Sequence, residues 1–247
     1  MKLNTKKLLL WLYPVEQSSK RRVSFNQIEW LLWDLTPAGR DSLVRLLEEK
    51  QLIFTDELEG ELKLSLSSHG QKQLAVQIPA LTKHDGGWDG RWTMLVFLQS
   101  PASDPSFRYL RNYLVKNNWF SLKRGLYLYP GPLPPTVEEL LAKSYIGHAA
   151  AISFDQWKFG DERAIIGRKT NVKDLIDLYS GISSEIDSLL SNFSKTKKFT
   201  DQQKQQFFSI FDRLAHSLLS DLGLVSYYFP AAKTGTDLLQ TLQQALS

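Results

Sequence analysis

The sequence predicts an α+β protein with an N-terminal winged helix-turn-helix, a central ferredoxin-like βαββαβ domain and a C-terminal helical domain. Three observations predict this class: helical patterns followed by two strands, then six short elements in βαββαβ order, then long stretches of helical period. The predicted boundaries are 1–81 for the winged helix, 82–90 for a Gly-rich linker, 91–160 for the ferredoxin-like domain and 161–247 for the helical domain.

The first domain is predicted from capping signals and apolar spacing. Ser24 with Gln27 forms a capping-box pattern, and Thr36-Pro37 places a capping hydroxyl before a proline at the first helical position. Ile28, Leu31 and Leu32 form the apolar stripe of the second helix. The predicted elements are helices at 5–13, from 24, from 36 and from about 68 to 81, with strands at 52–54 and 62–66 around an acidic turn at 56–60.

In a winged helix the third helix is the element presented to the major groove. Its inward face is expected to carry Leu43, Leu46 and Leu47. The outward residues suited to base reading are Arg40, Asp41, Ser42 and Arg45. The cations suited to phosphate contact are Lys20, Arg21, Arg22 and Lys63.

The central domain is predicted from six short elements. Strands are expected at 92–98, 120–122, 126–129 and 149–154, with helices from 107 to about 118 and over 136–142. Thr136 and Glu139 have the spacing of a capping box. Helices at 172–190, 201–222 and 238–246 complete the chain.

Composition excludes several classes of site. The sequence contains no cysteine, so disulfides and thiolate metal sites are excluded, and its +4 charge is divided as +1 over 1–85, +3 over 86–160 and zero over 161–247. Net charge alone therefore does not predict nucleic-acid binding. The apolar run at 8–13 favours a first helix over a signal peptide, no stretch is long enough to span a bilayer, and a cytoplasmic protein is expected.

Several motifs resemble the PaaX family, repressors of phenylacetic-acid degradation operons. The most specific is Trp88-Asp89-Gly90-Arg91-Trp92. The others are Leu66–Leu74, Leu110–Leu114, Gly125–Pro130, Leu218–Pro230, and the arginines Arg40 and Arg45. The resemblance covers nearly the whole chain. It implies a homodimeric repressor of operator DNA with an aryl-CoA type of inducer, and a central domain similar in fold to the small CRISPR-adaptation nuclease subunit.

The chain departs from that family at three places. The hairpin is acidic (Asp56, Glu57, Glu59), and Glu48 and Glu49 extend the acidity to the end of the third helix. Leu98 stands where the family usually has an aspartate, and Lys233-Thr234-Gly235 replaces a Trp-Pro-Gly-like run. Because carboxylates repel phosphate, the hairpin is expected either to stay out of DNA or to serve as a protein contact.

The sequence disfavours nuclease activity, a zinc site and a phosphate loop. Metal-dependent nuclease activity needs carboxylates at the strand end, where Leu98 stands, so it is the least favoured reading. The histidines His69, His84, His148 and His216 lack zinc-ligand spacing, and Gly167-Arg168-Lys169-Thr170 fails the spacing of a phosphate loop. Neither a metal nor a cofactor is predicted. Cations that could hold a CoA phosphate or the DNA backbone are Arg163, Arg168 and Lys169.

Two functions from different classes stay open at this point. The first is a DNA-binding transcriptional regulator, with repression as the expected mode, double-stranded operator DNA and a second copy of the chain as partners, and a small acyl-CoA-like effector. The second is a protein-interaction or dimerisation scaffold that keeps the fold without binding DNA. Neither function is enzymatic.

Overall fold

The computed structural model describes residues 1–15, 21–29, 31–58, 60–82, 88–98, 105–196 and 200–245. The chain divides into two compact units. Unit 1 combines Met1–His84, Ile176–Asp221 and Ala232–Ser247, and unit 2 combines Asp85–Leu175 with Leu222–Ala231. The expected separate helical domain over 161–247 is therefore not observed, because those residues are shared between the two units.

The N-terminal segment of unit 1 contains short helices and an antiparallel sheet. Its described elements are α1 (Leu3–Leu12), β1 (Arg22–Ser24), α2 (Phe25–Ile28), α3 (Pro37–Glu49), β2 (Ile53–Leu58), β3 (Glu61–Leu66), α4 (Ser68–Gln77) and α5 (Pro79–Thr82). The sheet order is β1-β3-β2, with both pairs antiparallel. Strand β1 was not expected from the sequence.

The second and third helices differ in how well their starts were predicted. The Ser24 capping box is wrong, since the Ser24 side chain makes no capping bond and α2 is only four residues long. The start of α3 is confirmed: Thr36 Oγ1 accepts from Gly39 N at 3.2 Å, and Pro37 occupies the first turn. The inward face of α3 is shifted, because Val44 and Leu47 are buried whereas Leu46 is 42% exposed.

Unit 2 contains the predicted βαββαβ order. Its described elements are β4 (Trp92–Phe97), α6 (Pro105–Lys116), β5 (Phe120–Lys123), β6 (Leu126–Pro130), α7 (Pro135–Ser144), β7 (Ala149–Phe154) and α8 (Glu162–Lys169). The antiparallel sheet has the order β5-β6-β4-β7, which confirms the ferredoxin-like prediction. The capping box at Thr136 and Glu139 is wrong, since Pro134 is the N-cap of α7 and caps through no side chain.

The sheet of unit 2 buries one face against α6 and α7. Leu95 and Phe97 on β4 pack with Phe107 and Leu114 of α6 and Val137 of α7. Since neighbouring residues in a strand point to opposite faces, Met94 and Val96 lie on the other face. That second face is also partly buried, because Trp92 and Leu128, the partner of Met94, are both 0% exposed.

The remaining helices belong to both units. They are α9 (Val172–Thr196), α10 (Asp201–Ser220), α11 (Leu224–Tyr228) and α12 (Gly235–Ala245). Helix α10 begins with a complete capping box made by Thr200 and Gln203. Helix α11 was not predicted and belongs to unit 2, whereas α10 and α12 belong to unit 1.

Helix α1 lies inside unit 1. Trp11 is fully buried, with the rings of Phe207 and Phe211 from α10 at 5.7 and 5.4 Å in edge-to-face geometry. Gln243 of α12 donates from Nε2 to the carbonyl oxygens of Trp11 and Tyr13 at 3.0 and 2.9 Å. The C-terminal helices thus complete the core around α1 and satisfy the carbonyls at its end.

Candidate nucleic-acid interface

The outward surface of α3 is the first part of the candidate interface. Asp41, Ser42 and Arg45 are exposed, as expected from the sequence. Ser42 Oγ donates to Ala38 O at 2.7 Å, so its hydroxyl is partly used by its own helix. Among the described residues, Arg45 has no ion pair and no side-chain hydrogen bond. Its guanidinium is therefore available to an acceptor outside the chain.

Arg40 does not face outward, which corrects the sequence-based expectation. Its Nε donates to Leu35 O at 3.1 Å and its Nη1 lies 3.2 Å from Glu29 Oε1. The side chain is only 15% exposed. Since two of its nitrogens are committed, Arg40 ties the start of α3 to the turn after α2. Its position favours a structural role over base reading.

The hairpin β2–β3 is the second part of the candidate interface. Its outer face carries Phe54, Asp56 and Leu58 on β2, all exposed, with Lys63 of β3 opposite Asp56. Arg22 of β1 shares that face and approaches Asp56 to 4.0 Å. Arg22 and Lys63, two of the four cations predicted to contact phosphate, are therefore adjacent to a carboxylate, which reduces the local positive potential.

The acidic residues of the hairpin cluster toward its tip. Asp56, Glu57 and Glu61 are exposed, and Glu59 lies outside the described residues. Glu48 at the end of α3 accepts a hydrogen bond from the Thr55 hydroxyl, so it is turned toward the hairpin. Carboxylates at the tip repel a phosphate backbone and favour a cationic neighbour.

Arg21 is committed to the interior of unit 1, which the sequence did not indicate. Its Nε donates to Trp11 O at 3.2 Å, and its guanidinium carbon lies 5.0 Å from the centroid of the Trp11 ring. Burial lowers the pKa of this guanidinium to about 10. Arg21 therefore packs against α1 instead of projecting toward a phosphate. Lys20, its predicted neighbour at the interface, lies outside the described residues.

The three cations predicted for an effector lie on α8, in unit 2. Arg163 stacks over the Phe229 ring at 4.1 Å, and Arg168 Nε donates to Ala164 O at 3.1 Å. Lys169 and Arg168 are exposed at the last turn of the helix. Arg163 lies five positions before Arg168 and six before Lys169, so the helix does not bring all three to one face.

The Trp88–Trp92 motif forms a packing platform within unit 2. The two tryptophan rings lie 4.4 Å apart, and Tyr227 of α11 packs on Trp88 at 4.8 Å. Asp89 Oδ1 accepts from Arg91 N at 3.0 Å. Gly90 has φ of 77°, and a Cβ there would meet the Tyr227 hydroxyl at 3.0 Å. Trp88 and Gly90 are thus packed, with Asp89 exposed between them, so the linker predicted over 82–90 includes packed residues.

Glu162 at the start of α8 completes this platform. Its carboxylate accepts from the Tyr228 hydroxyl, and from Trp92 Nε1 at 3.4 Å. Burial, followed by the Glu162 hydrogen bond, raises the pKa of Tyr228. Sequence reasoning missed Glu162 and Tyr228 because they lie far from Trp92 in the chain. The motif is therefore explained by packing and backbone geometry.

Leu98 occupies the end of β4 and is 69% exposed. Asp89 and Asp104 are the carboxylates nearest to this strand end in the sequence; that of Asp89 accepts a hydrogen bond within its own turn, and Asp104 lies outside the described residues. Within the described part of the chain, no group of three or more His, Asp or Glu residues is placed to hold a metal ion. In the same part, no helix has the length and hydropathy needed to cross a bilayer.

One family model matches the central part of the chain, and one solved structure is similar over nearly its whole length. Residues 85–166 match the family model described as the PaaX protein central Cas2-like domain. A solved structure, the uncharacterized protein Rv0674 from Mycobacterium tuberculosis, is similar with a TM-score of 0.47 and 15% identity, over 98% of this chain and 94% of that one. No curated protein matches the sequence.

Proposed function

We propose that this chain is a PaaX-like transcriptional regulator that binds operator DNA as a homodimer, because residues 85–166 match the model of the PaaX central Cas2-like domain. The proposal rests on one combination of features. Residues 85–166 match the PaaX central domain, and the helix order and β1-β3-β2 sheet of the N-terminal segment support the winged helix that we propose for it. We assign repression as the mode and the cytoplasm as the location, with no enzymatic activity.

In this proposal α3 enters the major groove and Arg45 contacts base edges. Arg45 is exposed, and no ion pair or side-chain hydrogen bond to another described residue competes with a guanine. Asp41 and Ser42 flank it on the outward surface. Arg22 and Lys63 are the phosphate contacts, and Lys20 stays a prediction of the same kind. Arg40 and Arg21 act by holding α3 and α1 in place.

We also propose that a small-molecule effector binds this regulator and controls it. Arg168 and Lys169, exposed at the end of α8, are the cations that would hold the phosphate of an acyl-CoA-like molecule. Arg163, which stacks on Phe229, would hold α8 in place without contacting the ligand.

The proposed DNA binding is tested by measuring how the affinity for a selected DNA duplex depends on salt. The full chain would be used to select duplexes from a randomised pool, and affinity for the selected duplex would be measured by fluorescence anisotropy at increasing salt. We expect the affinity to fall linearly on logarithmic axes, because bound cations release counterions from the phosphates. Arg45→Ala should weaken specific binding by about 1–3 kcal/mol and relax base preference at one position.

Arg108→Ala is the matched control, since Arg108 is an exposed arginine on α6 in unit 2. It removes the same charge away from α3 and should leave the selected affinity nearly unchanged. Equal losses of DNA affinity in the two variants would show that Arg45 contributes only its positive charge and makes no base contact. Sequence-blind binding that Arg45→Ala does not alter would reject the proposal.

The acidic hairpin supports the scaffold as a second candidate. Three carboxylates are exposed toward its tip, and Arg21 and Arg40 are committed inside unit 1. A scaffold of this kind would bind a cationic protein surface and would select no DNA sequence. The same selection experiment separates the two candidates.

A further inference from the structure

A groove within unit 1 lies between the start of α1 and helix α3. It has a volume of about 510 Å³. The leucines that line it come from α1, from α3 and from the residues on either side of α3: Leu3, Leu35, Leu43, Leu46, Leu47 and Leu52. Pockets that hold small molecules usually measure about 300–1,000 Å³ and are lined mostly by apolar side chains. The groove therefore has the size and the lining of a small-molecule site.

Large apolar side chains of this groove are open to solvent. Leu46 was expected on the inward face of α3, yet it is 42% exposed, and Leu3 of α1 is 36% exposed. Met1, which also lines the groove, is 45% exposed. Neighbouring exposed apolar groups on a protein surface commonly mark a binding site. A ligand with an apolar chain would cover all three side chains.

The charged residues in the described lining of the groove are both lysines. Lys2 is the N-cap residue of α1, and Lys50 is the C-cap residue of α3. Both are exposed, and neither makes an ion pair with another described residue. The carboxylate of Asp34 accepts a hydrogen bond from Asn4 Nδ2 at 3.1 Å and is not part of this lining. Since a lysine can lay its stem along apolar surface while its ammonium stays in water, the groove combines an apolar wall with positive charge.

We propose that this groove binds a small amphipathic anion, with its apolar chain along the leucines and its anionic head group at Lys2 and Lys50. A cation would be repelled by the two ammonium groups, and an uncharged molecule would leave them unused. A carboxylate or phosphate head group accepts charge-assisted hydrogen bonds from ammonium groups, and these are stronger than neutral ones. The site uses residues of unit 1 only, whereas the α8 cations proposed for an effector belong to unit 2.

Ser42 belongs both to this groove and to the proposed DNA-reading surface of α3. It lines the groove and is exposed beside Asp41 and Arg45. A bound anion would place negative charge next to that surface, where it would repel DNA phosphates. The anion and DNA should therefore weaken each other's binding by the same factor. This step rests on the proposed function, and it assigns to the anion the role of releasing the regulator from DNA.

Isothermal titration calorimetry of the full chain with octanoate tests the site. Octanol is the uncharged probe with the same chain length. Lys2→Gln with Lys50→Gln removes both positive charges. Leu46→Gln places an amide in the apolar wall, at a side chain that is already 42% exposed.

Matched control variants carry the same changes away from the groove. Lys72→Gln with Lys143→Gln removes two exposed lysines, one on α4 and one on α7. Val76→Gln changes an apolar side chain that is 77% exposed on α4. Circular dichroism and thermal melts would show that each variant is folded.

We expect octanoate to bind the parent and the control variants with similar affinity, and octanol to bind the parent about tenfold more weakly. The double lysine variant should lose about tenfold in octanoate affinity, and Leu46→Gln about three- to tenfold. The site would be rejected if octanoate did not bind, or if it bound the groove and control variants equally well. Octanol that bound as tightly as octanoate would contradict the assignment of an anion.

Titration of the selected DNA duplex with and without octanoate separates this inference from the proposed function. At saturating octanoate the DNA affinity of the parent should fall about fivefold or more, and the same octanoate concentration should affect Leu46→Gln less. If octanoate binds in the groove but the protein selects no DNA, the site stands and the regulator does not. If the protein selects DNA but does not bind octanoate, the regulator stands and the site does not. Octanoate that binds without changing the DNA affinity would overturn the proposed release.

Discussion

The Tyr179 hydroxyl donates a 2.8 Å hydrogen bond to Asp221 Oδ2, and both side chains are buried in unit 1. The bond joins α9 to the residue that ends α10. Burial, followed by the charge of Asp221 and this hydrogen bond, raises the pKa of Tyr179. A buried carboxylate needs such a donor, because an unpaired charge in the interior is costly.

Replacing Tyr179 by Phe should therefore destabilise the protein at neutral pH, by about 1.5–3 kcal/mol. The tyrosine in the folded protein has a pKa above its value in the unfolded chain. Its stabilising contribution is thus complete below pH 10, the unfolded value, and is lost as pH rises above it. We expect Tyr179→Phe to lose stability less steeply than the parent above that pH.

Urea unfolding at neutral and alkaline pH measures both effects. The difference between the two proteins isolates Tyr179 from other groups that titrate at high pH. Parallel stability profiles for the parent and the variant would contradict the assigned titration.

Substituting Arg40 should lower the stability of the protein more than substituting Arg45. Arg40→Ala removes the bond to Leu35 O and the pair with Glu29, and should cost about 1–2 kcal/mol, discounted because Glu29 is half exposed. Arg45→Ala, at an exposed position, should change stability by less than about 0.5 kcal/mol. Urea midpoints of the two variants check this, and equal midpoints would contradict the structural role of Arg40.

Gly70→Ala should destabilise unit 1 by about 1–3 kcal/mol or more. A Cβ at Gly70 would lie 2.1 Å from Leu52 O, which is backbone and has no room to move. Gly181→Ala is the matched control, since nothing lies within 4 Å of a Cβ at that exposed helical position. That control should gain about 0.5–1 kcal/mol from helix propensity. Thermal melts that rank the two variants in the opposite order would contradict this packing.

Neutralising the hairpin should strengthen non-specific DNA binding. Asp56→Asn with Glu57→Gln removes two exposed negative charges and should tighten binding about two- to tenfold at low salt, with the gain shrinking as salt rises. Glu138→Gln with Glu139→Gln, exposed on α7, is the control for net charge. Unchanged affinity in the hairpin variant would show that this hairpin stays clear of DNA.

The candidate interface could be predicted only in part from the sequence. The exposure of Asp41, Ser42 and Arg45 follows from helical spacing, which assigns each residue of α3 to a face. The commitment of Arg40 could not be predicted, because Glu29 reaches it only through the turn after α2. Arg21 is a similar case, since its partner Trp11 lies on α1, ten residues earlier in the chain.

The sequence by itself determined those helices and strands that depend on interactions between residues close together in the chain. Thr36 and Pro37 start α3 because the capping hydroxyl oxygen and the N–H that donates to it are three residues apart. The βαββαβ order follows from periodicity and turn residues, which are equally local. Tertiary structure alone decided the surroundings of α1, whose run of apolar residues is buried by helices about two hundred residues later in the chain. No local pattern encodes such partners, because burial depends on which distant surface arrives, and that is settled only when the chain packs.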